Sequence, residues 1–387
     1  MAGVVQTVLT TRPPTAPLSE RLGDHARVVR LGLPVRHFKQ LNGPQAALLA
    51  PLLAAVAVLA MLLVASGCGG SSSDSEASGG DGSGGKLTLV AYSTPEEAYK
   101  ELIPAFNKTP EGKGVGFSQS YAASGEQSRA VEGGLPADVV EFSLEPDMTR
   151  LVDAGLVERD WNQNEYKGMV TNSVVVFIVR KGNPENIKTW DDLVTGDVEV
   201  LEPNPFTSGG AKWNIMAAYG AQLEQGKSPE EAEQYLAELF KNVPVLDKSA
   251  RESLQTFSSG KGDVLLGYEN EAILARQKGE KLDYIVPDQT LLIENPVAVV
   301  NEANDTKLAQ SFVNFLYTPE AQEIFVGKGY RPIVEGTAGA DEFPKPADLF
   351  DITKFGGWGK VNDEFFDPEK GIVAEIFQSQ GKSTESG

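Results

Sequence analysis

Four short stretches of the 387-residue chain gather small, uncharged residues with hydrogen-bond donors to offer. They are AYSTPEE around Ser93, YAASGEQS around Ser124, PNPFTSGGAKW around Ser208 and LDKSARES around Ala250. In the third, two prolines and the Gly209-Gly210 pair forbid regular structure up to Gly210, and Ala211 begins a helical pattern. A helix opening on Ser-Gly-Gly presents unpaired backbone N–H groups, no bulky side chains and the positive end of its dipole, which together suit an anion. The plainer reading of the same residues is a capped turn with Ser208 as N-cap. Several such loops around one point would hold an oxyanion by hydrogen bonds alone, each worth about 1.5–3 kcal/mol when one partner is charged.

Those loops need strands and helices to aim them. From Lys86 the chain alternates KLTLVAY, PEEAYKELIPAFNK, GVGFSQSY, GEQSRAVEGG and ADVVEFS, a strand and helix alternation that predicts an α/β fold with mainly parallel sheets flanked by helices. Ligands of such sheets sit beyond the carboxyl ends of the strands, where these loops lie. Two long β-branched runs, NSVVVFIVRKG (172–182) and NPVAVVN (295–301), read as strands carrying the chain between two lobes. The expected organisation is a first lobe over 86–174, a second over 175–294, and a return over 295–377 that includes C-terminal helices. A disordered tail is expected over 378–387. No internal sequence repeat is visible.

The first 67 residues read as export machinery. Arg30, Arg36 and Lys39 precede an apolar run from Ala46 to Ala65, then small residues and the only cysteine, Cys68. The sequence VASGC resembles a bacterial lipobox, which implies lipidation of Cys68 as the mature N-terminus. The alternative is an uncleaved anchor, since ~20 apolar residues can span a bilayer. Either arrangement puts the folded part outside the cytoplasm. The stretch before the apolar run is long for a signal, which points to a translation start downstream of Met1. Residues 69–85, GGSSSDSEASGGDGSGG, follow as a flexible tether.

After residue 67 the chain keeps 28 of 34 basic and 52 of 54 acidic residues, a net charge near −24 that repels nucleic acid. Both histidines, His25 and His37, precede Cys68. A mature chain without histidine or free thiol excludes His-assisted triads and His- or Cys-ligated metal sites, so no cofactor and no metal are expected. The acidic pair in YENEA, Glu269 and Glu271, reads as a solvated helix start, and FGGWGK around Trp358 as a packing turn. GKGVG at 112–116 lacks the Lys-Ser/Thr ending of a P-loop.

Taken in order, PNPFTSGGAKWN, NVPVLDKSAR, GDVLLGYENEA, RKGNPENIKTWDDL, LYTPEAQEIF, YRP and FGGWGK resemble the sulfate-binding proteins of ABC importers over nearly all of residues 86–377. The resemblance implies a two-lobed periplasmic-binding-protein-like fold of type II and a buried, dehydrated sulfate held by neutral donors. Those donors would be Ser93 and Ser124 from the first lobe and Ser208, Gly209, Gly210 and Ala250 from the second, with Arg251 steadying its loop from behind. Known members carry aspartate at the Ser93 position and tryptophan at the Tyr268 position. Serine keeps the main-chain amide, whereas the Tyr268 hydroxyl can accept as well as donate; the plainer role for Tyr268 is core packing. The implied protein is a receptor and not an enzyme, a monomer tethered by lipid on Cys68 to the outer face of the membrane. It would pass sulfate to a permease with an ATPase subunit. Thiosulfate, molybdate or tungstate are the alternative ligands; phosphate is disfavoured because its proton needs an acceptor. An extracellular hydrolase of phosphate or sulfate esters and an adhesin are the remaining classes. Without histidine, anion binding is expected to change little from about pH 5 to 8.

Overall fold

A computed structural model describes residues 84–384, within one compact unit, Ser73–Gly387. The apolar run, Cys68 and the tether up to residue 83 lie outside the described residues. The first lobe is built on β1 (Lys86–Tyr92), β2 (Gly116–Ala122) and β3 (Val139–Glu141), parallel in the order β2-β1-β3. The chain then enters the second lobe through β4 (Met169–Arg180), where β5 (Val200–Pro203), β6 (Leu246–Asp247) and β7 (Val264–Tyr268) form a second parallel trio, β6-β5-β7. After β8 (Leu282–Ile285), which pairs with β4, the chain returns through β9 (Gln289–Val299). β9 runs antiparallel beside β3 and β4 runs antiparallel beside β7, so each lobe is a parallel trio closed by one antiparallel strand. β4 and β9 pair with each other between the lobes and join all these strands, with β10 (Asp348–Phe350) on β9, into one continuous sheet.

The β-branched runs explain why these strands can cross. Val174 to Val179 of β4 are at most 1% exposed. Period-two alternation sends Val175, Phe177 and Val179 into one core and Val174, Val176 and Ile178 into another. In the first lobe, β1 likewise gives Leu87, Leu89 and Ala91 to one core and Val90 to the opposite one.

Helices α1 (Glu96–Phe106), α2 (Ser124–Glu132) and α3 (Glu145–Asp153) follow β1, β2 and β3. α4 (Gly209–Glu224), α6 (Ala250–Ser258) and α7 (Glu269–Gln277) follow β5, β6 and β7, with α5 (Pro229–Lys241) between. α8 (Thr306–Leu316) and α9 (Pro319–Gly327) return to the first-lobe core. The C-terminal part of the expected return segment goes elsewhere: α10 (Trp358–Phe365) and α11 (Ile372–Ser379) bury Trp358, Val361, Phe365, Val373 and Phe377 in the second-lobe core. Trp358 meets Trp213 edge to face at 4.5 Å, a geometry worth about 0.5–1.5 kcal/mol beyond burial. Residues just past 377, expected to be disordered, are also tied down. Gln380 donates to the Ala237 carbonyl and Lys382 to that of Val243.

Candidate functional site

The strands of both lobes end at one small cavity, and each lobe reaches it with three loops. From the first lobe come Ser93 and Thr94 after β1, Ser124 opening α2 after β2, and Ser143 after β3. From the second come Ser208, Gly209 and Gly210 after β5, Ala250 opening α6 after β6, and Tyr268 at the end of β7. The space open to the centre of a water-sized sphere is only about 10 Å³, room for one small occupant and not for an organic ligand. Among the described residues, no lysine, arginine, aspartate or glutamate lines it.

The local chemistry makes the donors. α4 begins at Gly209, two residues earlier than the sequence pattern suggests, because Ser208 caps it by accepting from the Ala211 N–H at 3.4 Å. The N–H groups of Gly209 and Gly210 stand at the first two helical positions, where no preceding carbonyl serves them. The Ser208 hydroxyl keeps its hydrogen, since its recorded bond uses a lone pair. Ala250 stands likewise at the head of α6, capped by Ser249. Gly209 is required for closeness: an added Cβ would lie 2.7 Å from Ser143 Oγ, across the lobes. Gly210 has ordinary room, with Ala250 Cβ and Ser208 Oγ at 3.4 Å.

The Ser124 hydroxyl is already occupied. It donates to Asp147 Oδ2 at 2.6 Å and accepts from the Ser143 N–H at 2.9 Å, leaving only the backbone N–H at the start of α2 for a ligand. Tyr268 is 1% exposed and does reach the cavity, where its hydroxyl lies 2.6 Å from Ser143 Oγ. Burial pushes its phenol well above the usual range, so it is a neutral hydroxyl. Arg251 stays outside the lining. Its Nη2 donates to the Thr94 carbonyl at 3.1 Å, holding a first-lobe loop from the second lobe.

The acidic pair is a correction. Glu269 and Glu271 are 0% and 2% exposed, not solvated. Glu269 takes a two-pronged bond from Arg331, at 2.6 and 3.1 Å, and Glu271 lies 3.7 Å from Arg251 Nε. Helix α7 starts inside the molecule because β7 ends at the cavity, so its first turn faces the other lobe and not water. Burial pushes Glu271 up to about 7 and Glu141, on β3, up to about 8. Among the described residues there is no group of three or more His, Cys, Asp or Glu able to hold a metal.

Ser143 was missed by sequence reasoning. The available signal was positional: it follows β3 as Tyr268 closes β7, a correspondence between lobes that no repeat in the letters reveals.

Known proteins share this architecture. The family model for bacterial extracellular solute-binding proteins matches residues 87–331. A sulfate-binding protein of Synechococcus elongatus is 44% identical, over 81% of this chain and 92% of its own length. A thiosulfate-binding protein of Pseudomonas aeruginosa is 36% identical, over 75% and 92%. Among solved structures, the sulfate-binding protein SubI from Mycobacterium tuberculosis matches with a TM-score of 0.71 at 44% identity, covering 73% of this chain and 99% of that one. The chain belongs to the bacterial extracellular solute-binding proteins, and within them to the sulfate-binding group.

Proposed function

We propose that this protein captures sulfate outside the cytoplasm and delivers it to an ABC permease driven by an ATPase subunit. The observation that carries the reading is a small cavity lined by helix N-termini and hydroxyls from both lobes, with no charged side chain among the described residues of its wall. A fully ionised tetrahedral dianion presents only acceptors, and backbone N–H groups present only donors. The two match without a counter-charge. The donors are the N–H groups of Ser93, Ser124, Gly209, Gly210 and Ala250 and the hydroxyls of Ser208 and Tyr268, with Arg251 holding the Thr94 loop. The protein acts as a carrier and catalyses nothing. Cys68 carries lipid and the tether lets the folded part search for its permease, as a monomer. Thiosulfate is the second reading, favoured by the 36% identity to a thiosulfate-binding protein.

Calorimetric titration of dialysed protein with sulfate, thiosulfate and molybdate tests the ligand. Sulfate is expected to bind most tightly and to raise the melting temperature. Absence of heat and of thermal shift with all three would sink the oxyanion reading. Mass spectrometry of the membrane fraction tests the anchor; an unmodified Cys68 in a longer chain would end it.

A further inference from the structure

The reading of the cavity as an oxyanion site leaves one part of its wall unexplained. The backbone N–H groups can only donate, and a wall of donors alone rejects any oxyanion that still carries a proton, because that proton would face another hydrogen. Ser143 and Tyr268 break this rule. Their oxygens lie 2.6 Å apart, either able to donate to the other, and both residues line the cavity. Two hydroxyls own two hydrogens, and one of these sits between the oxygens. The other is not used by this bond: it is on Tyr268 if Ser143 donates or on Ser143 if Tyr268 donates, with the Asn295 side chain as a further partner of the Tyr268 hydroxyl. Reversing the bond turns the oxygen that faces the ligand from donor to acceptor without losing a hydrogen bond inside the protein.

The backbone of Ser143 holds the pair in place. Its N–H donates to Ser124 Oγ at 2.9 Å, and its carbonyl accepts from Trp213 Nε1 at 2.8 Å and Asn295 Nδ2 at 2.9 Å. Ser143 is 1% exposed, so no bulk water competes for the other hydrogen or the remaining lone pair. We infer that the Ser143–Tyr268 hydroxyl pair is a reversible donor and acceptor that admits monoprotonated tetrahedral oxyanions, of which hydrogen phosphate is the simplest, as a second ligand class of this cavity. Serine in the first lobe and tyrosine in the second are both needed, since each serves as the sink for the other's hydrogen.

The test is calorimetry at about pH 8, where inorganic phosphate is mainly the monoprotonated dianion, on wild type, Ser143→Ala, Tyr268→Phe and the double variant. Melting curves confirm that each is folded. Wild type is expected to bind phosphate within about a hundredfold of sulfate, and the double variant to lose about tenfold more affinity for phosphate than for sulfate. The single variants should fall between. Phosphate that gives no heat up to millimolar concentration while sulfate binds overturns the inference. So does an equal loss for both anions, which would make the pair a plain donor, or no loss for either. If wild type binds neither anion, the oxyanion reading itself has failed and this inference falls with it.

Discussion

The two lobes share a plan and differ in chemistry. Each is a parallel trio closed by one antiparallel strand, and each sends three strand-end loops to the same cavity. The serines at the loops play opposite parts. In the second lobe Ser208 and Ser249 cap α4 and α6 with their oxygens, and Ser208 keeps its hydrogen for the cavity. In the first lobe none of α1, α2 and α3 has a side-chain cap, and the Ser124 hydroxyl is taken by Asp147 and the Ser143 N–H. One lobe thus offers backbone and side-chain donors. The other offers backbone at its second loop and uses the serine there as internal scaffolding. Equal geometry does not imply equal roles for the same residue type.

The largest expected effect comes from Gly210→Asp in the second lobe. A Cβ there has ordinary room, so the fold survives, but a carboxylate enters an anion site that has no cation to offset it. Sulfate affinity should fall by a factor of at least about a thousand, roughly 4 kcal/mol. Wild-type titration heats from this variant would show that α4 does not hold the ligand.

The serines sharpen the contrast directly. Ser208→Ala removes a hydrogen bond to a charged ligand and should cost about 1.5–3 kcal/mol in binding. Ser124→Ala takes no donor from the ligand. It leaves the buried Asp147 carboxyl and the Ser143 N–H without their partner, so it should lower the melting temperature more than the affinity. Equal losses of affinity in the two variants would abolish the distinction between the lobes.

How much of this was legible beforehand follows the same divide. The Ser208, Gly209 and Gly210 loop announces itself, because proline, glycine and an N-cap serine each constrain the backbone locally. The loop around Ala250 was marked by the same small-residue chemistry, whereas the role of Arg251 came only by resemblance to a family. The crossing strands β4 and β9 were readable from β-branched runs. Three things were not: the engagement of Ser124, the burial of Glu269 and Glu271, and the part of Ser143. Each depends on a residue distant in sequence: Asp147 for Ser124, Arg331 and Arg251 for the two glutamates, and Tyr268 for Ser143. Local pattern carries no information on such partners. Acidic residues at a helix start usually face water, and here tertiary structure overrides that tendency.

Gly209→Ala examines how the lobes meet rather than what they offer. The added Cβ would approach Ser143 Oγ at 2.7 Å and Leu144 Cδ2 at 2.8 Å, both in the opposite lobe. The clash exists only when the lobes are closed, and overpacking of this kind costs about 1–3 kcal/mol. Affinity should drop about tenfold without loss of any donor. In solution scattering, the variant should need more sulfate than wild type before its radius of gyration shrinks. Closure at the wild-type concentration would mean that the contact relaxes elsewhere.

The smallest effect concerns the acids each lobe conceals. Glu141 in the first lobe is 0% exposed and accepts from the Tyr99 hydroxyl, and Glu202 in the second is 1% exposed and accepts from Asn214 Nδ2 at 3.0 Å. Neither bonds a cation among the described residues, and burial raises both, Glu141 to about 8. In the unfolded chain Glu141 releases its proton near 4.5. Between these values the folded protein holds a proton that the unfolded chain has lost, so stability is greatest at the acid end of that window, falls as pH rises through it, and levels off above about 8. The ceiling is about 1.4 kcal/mol per pH unit for each such carboxyl. Glu141→Gln keeps the shape of the neutral acid and removes its proton, and should flatten the decline of melting temperature between pH 5 and 8. Glu202→Gln should do the same from the other lobe, over a window reaching as far as its own raised value. If wild type and Glu141→Gln give parallel profiles, the first-lobe carboxyl is already ionised in the fold, and the symmetry between the two concealed acids is lost.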